Sequence, residues 1–136
     1  MPHIELKTVE QLRWMREAGL VVASIHEALR AAVRPGITTR ELDEVSAQAI
    51  ADGGGASNFL GYYGYPATVC ISVNDVIVHG IPSAATVLAE GDLVSIDCGA
   101  TLSGWVGDSA WTFGIGEVAD DVDKLKCVGE THEDLV

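Results

Sequence analysis

The chain has 136 residues, 48% of them apolar, and a formal net charge of −12 from 20 acidic and 8 basic residues. That length suits one compact domain with its own core, and the apolar content excludes a disordered chain. The charge excludes a binder of nucleic acid or of an anionic membrane surface, since both need clustered Lys and Arg. Cations or cationic substrates would suit it, although most of the charge reads as a solubilising surface.

The cysteines Cys70, Cys98 and Cys127 form no CxxC pair, which argues against a disulfide framework and against a structural zinc cluster. The opening run MPHIELKTVEQLRWM lacks a basic region followed by an apolar stretch, so no signal peptide is expected. No segment approaches the length of a membrane span. The expected compartment is a reducing cytoplasm.

Thr8-Val9-Glu10-Gln11 has the form of a helix capping box. Leu12, Met15, Gly19, Val22, Leu29 and Val33 follow at steps of three and four, with His26 filling the gap, which predicts one long amphipathic helix. Arg34-Pro35-Gly36 ends it. A second capping box, Thr38-Thr39-Arg40-Glu41, opens a helix striped by Leu42, Val45 and Ala49 and stopped by Gly53-Gly54-Gly55. So short a connection makes the two helices neighbours.

Phe59 to Pro66 reads as a loop displaying aromatics. Ala67–Val73 reads as a strand, Asn74-Asp75 as a turn, and Val76-Ile77-Val78 as a short strand leading into His79-Gly80. Glu90-Gly91-Asp92 is a turn. Leu93–Ala100 and Trp105–Phe113 are the clearest strands, and residues from about Val118 to Val136 read as a helix, within an acidic tail. Two helices, several strands and a helix in that order predict an α+β class and a single domain over 1–136.

Asp97 and Asp108 each fall inside a predicted strand, where Asp is depleted and costly to bury unpaired. Residues 67–116 contain no Lys and no Arg, so no local cation can pair with either. Carboxylates on facing strands repel unless a cation lies between them, and a divalent metal answers this. An exposed hairpin with both groups in water answers it too, and spacing alone does not choose. His79, set before Gly80-Ile81-Pro82, stands in a fixed loop where an imidazole can bind metal or exchange protons; an ordinary surface His is the other reading. His26 reads as a packed histidine, and His3 and His132 as inert. Tyr62, Tyr63 and Tyr65 with Phe59 could wall an apolar pocket or pack back on the core. Cys70 reads as a buried strand residue, not a nucleophile. Gly114-Ile115-Gly116 is no phosphate loop, and there is no GxSxG element.

The run GYYGYPATVCISVNDVIVHGIP, then EGDLVSIDCGA, then GWVGDSAWTF, closely resembles the bacterial type I methionine aminopeptidases of peptidase family M24. The resemblance runs from the first capping box to about Gly116. It implies the N-terminal half of a pita-bread fold, with the two helices packed on an antiparallel sheet and a C-terminal helix after it. It implies two divalent metals, Co, Mn, Fe or Zn, with Asp97 a terminal ligand and Asp108 a bridge. His79 would contact substrate near the scissile amide, and Phe59, Tyr62, Tyr65 and Cys70 would line a methionine pocket. Phe59 stands at a position the family varies. The family's other ligands, a His and two Glu, come from its second half, which this chain ends before. Glu130, His132 and Glu133 do not replace them. A partial enzyme, weak or inactive alone, is expected to act on N-terminal Met peptides. The alternative is a non-catalytic half-domain that self-associates or pairs with a partner chain through the surface the second half would cover.

Overall fold

The chain's structure, a computed structural model, describes residues 5–122. Both capping boxes form. Thr8 accepts from the Gln11 amide at 3.2 Å while the Gln11 side chain accepts from the Thr8 amide at 2.7 Å, opening α1 (Val9–Ala32). Thr38 and Glu41 reciprocate at 3.2 and 2.8 Å to open α2 (Thr39–Asp52). Each box satisfies amides that a helix start leaves without partners and contributes about 1 kcal/mol.

The strands are β1 (Ala56–Ser57), β2 (Val69–Val73), β3 (Leu93–Leu102) and β4 (Trp105–Gly114). β3 is the spine. β1 and β2 pair along one of its edges and β4 along the other, all antiparallel. Because side chains alternate along a strand, the sheet has two unlike faces. Val69, Ile71, Val94, Ile96, Cys98 and Ala100 point to one face and are buried with Val22, Ile25 and Leu29 of α1 and Leu42 and Ile50 of α2. Each fully buried aliphatic contributes about 1.5–3 kcal/mol. The opposite face carries Cys70, Ser72, Ser95, Asp97 and Asp108 in register, away from α1 and α2.

Two expectations are corrected. Val76-Ile77-Val78 is not a strand: it follows a turn in which Asn74 takes φ 53°, and Ile77 is 90% exposed. A β-branched run lacks strand structure where no partner strand lies beside it. On α1, Leu12 and Met15 are exposed, and the buried face begins at Ala18. The sheet is first met there, where Gly107 of β4 lies against the backbone of Ala18 and Gly19. β1 was not anticipated, since two residues carry no readable period. The helix predicted for 118–136 lies largely outside the described residues.

Candidate metal centre

The site starts with the β3–β4 hairpin. Ser103 and Gly104, at φ 51° and 82°, close a two-residue turn between Leu102 and Trp105. Left-handed backbone at both positions is what a tight hairpin requires. The turn fixes the register, so Asp97 lies opposite Ala110 and Gly99 opposite Asp108. The aspartates are therefore diagonal neighbours on the open face, with backbones about 7–8 Å apart. β2 adds Cys70 directly opposite Asp97.

Gly99 and Gly80 let other groups come close. A methyl on Gly99 would collide with the Asn58 side chain, and one on Gly80 would collide with the Ile71 carbonyl. The His79–Gly80 loop thus lies flat on β2, where Gly80 accepts from the Ile71 amide at 2.8 Å and donates to the Ser72 hydroxyl at 3.3 Å. His79 takes φ 57°, a left-handed conformation that is uncommon for a non-glycine residue and concentrates at functional sites. Tyr65 crosses to this loop: its hydroxyl lies 3.0 Å from the Val69 carbonyl and 3.1 Å from that of Gly80, donating to them.

The electrostatics tie these groups together. Burial pushes the Asp97 carboxyl upward, the neighbouring Asp108 pushes it further, and His79 pulls it back. Burial raises the Cys70 thiol, against a lowering contact from Tyr65, and both aspartates add to the rise. The Tyr65 hydroxyl is raised, first by burial and then by Cys70. Cys98, one residue along β3, is pushed up to about 12 by burial and by the two aspartates, so it is inert as a nucleophile.

Asp97, Asp108, His79, Tyr65 and Cys70 are thus brought together. Phe59 and Tyr62 sit on the adjoining loop, where the Tyr62 amide donates to the Phe59 carbonyl at 3.0 Å. Phe59 is half-buried, but Tyr62 is 66% exposed and its ring meets Tyr63 edge-on at 4.6 Å rather than closing on the aspartates. Asn58 and Gly99 escaped the sequence reading. For Gly99 a signal existed, since glycine inside a strand marks close approach.

Two neighbouring carboxylates, with Asp108 raising the Asp97 carboxyl and no Lys or Arg between residues 67 and 116, fit a hard divalent cation as paired oxygen donors. Among the described residues no group of three or more His, Cys, Asp or Glu side chains could hold a metal ion.

Fold and pair define an α+β layer whose helices cover one face of an antiparallel sheet while the other face presents carboxylates. The chain belongs to metallopeptidase family M24, whose profile it matches over residues 13–136. It is 54% identical over 114 residues to methionine aminopeptidase 1 of Mycobacterium tuberculosis, covering 84% of this chain and 43% of that protein. It is 48% identical to methionine aminopeptidase 1 of Bacillus subtilis, covering 91% and 50%. Its structure superposes on that of the Rickettsia prowazekii methionine aminopeptidase with a TM-score of 0.89 at 32% identity, covering 93% of this chain and 50% of that one. The fold is that of one half of the pita-bread architecture, and the chain spans about half the length of the curated relatives it matches.

Proposed function

We propose that this chain is a single partial domain carrying the first half of a site that removes methionine from the N-terminus of proteins. The observation that supports it most is the register that sets Asp97 diagonal to Asp108 on the open face, with the charge of His79 felt at Asp97. Asp97 and Asp108 hold divalent metal, of a kind the donor set leaves open among Mn, Fe, Co and Zn. When bound, two such metals supply Lewis acidity and a nucleophilic water. His79, held by its loop against β2, donates a hydrogen bond to the substrate beside the scissile amide. Cys70 and Tyr65 wall the pocket for the methionine side chain, with Phe59 and Tyr62 on its outer loop. Their raised proton affinities keep the thiol and phenol neutral, which suits an apolar side chain. Among the described residues no helix is long and apolar enough to cross a membrane, and we assign the chain to the cytoplasm, where nascent proteins present their first residue.

The test is Mn(II) binding to the 136-residue chain. Saturable but weak binding is expected, lost in Asp97→Asn and in Asp108→Asn. Binding that survives both substitutions would place the metal elsewhere. Release of methionine from a Met-Ala-Ser peptide by the metal-supplemented chain alone is expected to be slight or nil, because two ligands leave most coordination positions to water.

A second reading rests on a specific surface. Ile77, Val78 and Ile81 are 90%, 64% and 59% exposed on the rim of the open face. Such a rim favours a half-domain that pairs with a second copy of itself.

A further inference from the structure

Directly behind the carboxylate pair, α1 touches three successive helix-facing residues of β4. At Gly107, a methyl would come within 2.8 Å of the Ala18 carbonyl oxygen and 2.9 Å of the Gly19 nitrogen, so helix backbone lies on strand backbone. At Ser109, the Nε2 of His26 is 2.9 Å from the hydroxyl and 3.1 Å from the carbonyl oxygen. At Trp111, the indole stacks on the His26 ring with centroids 4.7 Å apart and planes 11° from parallel. The same Nε2 lies 3.3 Å from the Cys98 thiol on β3. Cys98 and Ser109 are register partners, and each adjoins one of the aspartates in sequence. Asp108 is therefore flanked by Gly107 and Ser109, both held from behind by one helix.

We propose that His26 is a positioning residue for the Asp97–Asp108 pair: its Nε2 clasps β3 to β4 at the Cys98–Ser109 row and so fixes the separation of the two carboxylates. This rests on reading the pair as metal ligands. The clasp works in either protonation state of that nitrogen. Unprotonated, Nε2 shares its lone pair between the Ser109 hydroxyl on β4 and the Cys98 thiol on β3; protonated, it shares its hydrogen between the Ser109 carbonyl and the Cys98 sulfur. An aliphatic side chain at this 1% exposed position would fill the space with no polar group to bury, but would bond neither strand. Groups one step behind metal ligands commonly change affinity by 10- to 100-fold when removed.

The test uses the full chain with His26→Leu, His26→Gln and Ser109→Ala, measuring Mn(II) affinity by calorimetry and amide hydrogen exchange by NMR. His26→Leu is expected to weaken Mn(II) binding by about tenfold, the low end of that range. His26→Gln, which keeps a polar group near the strands, is expected to recover most of the loss. Exchange should quicken at Cys98 and Ser109 more than at Leu93 and Gly114, the far end of the hairpin. A folded His26→Leu chain with unchanged affinity overturns the proposal. If that variant does not fold, His26→Gln and Ser109→Ala decide it by the same readouts. If the unaltered chain shows no saturable Mn(II) binding, the ligand reading falls. The clasp is then judged by exchange alone, and uniform exchange along the hairpin overturns it.

Discussion

Asp97 is a residue the fold holds at a cost. Burial and Asp108 both favour its protonated form, so its folded-state pKa lies above the unfolded value of about 3.9. A raised carboxylate contributes stability below the unfolded pKa and loses that contribution as pH climbs through the folded one. In chelator, Asp97→Asn should therefore melt above the unaltered chain at pH 7, and the gain should shrink as pH falls toward 4. Thermal melts at the two pH values check this; an equal or lower melting temperature at pH 7 would contradict it. A substitution that steadies the empty fold while removing a proposed ligand is what a functional position held at a cost produces. His79 is another such residue, since its left-handed backbone is held by the tight seat of Gly80 on β2.

Among the elements, α2 has a role beyond the core. The Asp43 carboxylate accepts from both the amide and the hydroxyl of Thr68, each at 2.7 Å, at the residue before β2 begins. Asp43→Ala leaves both donors without that acceptor and should cost about 2 kcal/mol, read as a lower urea midpoint with an unchanged slope. The helices were legible in the sequence because capping boxes and three-four spacing are local signals. The β3–β4 hairpin was legible for the same reason, and so were its aspartates, acids in strands with no cation nearby. Where the outcome depended on a distant surface, the sequence was silent or misleading. Leu12 and Met15 keep the period of α1 but fall before its contact with the sheet. Val76-Ile77-Val78 has strand composition without a neighbour to pair with. The nesting of Asn58 on Gly99 joins segments far apart in the chain: glycine inside a strand marks close approach but does not name what approaches.

For the whole molecule, the two faces of the sheet set behaviour in solution. One face is sealed by α1 and α2, while the other carries polar groups, with exposed Ile77, Val78 and Ile81 on the loop beside β2. If that loop seats a second copy, sedimentation velocity over a rising concentration series should show a growing dimer fraction, and Ile77→Ser should reduce it. A single monomeric species throughout would remove the second reading. The Tyr65 hydroxyl links the aromatic loop to the His79–Gly80 loop, because a single proton serves the carbonyls of Val69 and Gly80. The two loops are for that reason not separately adjustable. On the proposed reading, a substitution that reshapes the pocket at Tyr65 would also free the loop that carries His79, so both would change in one step.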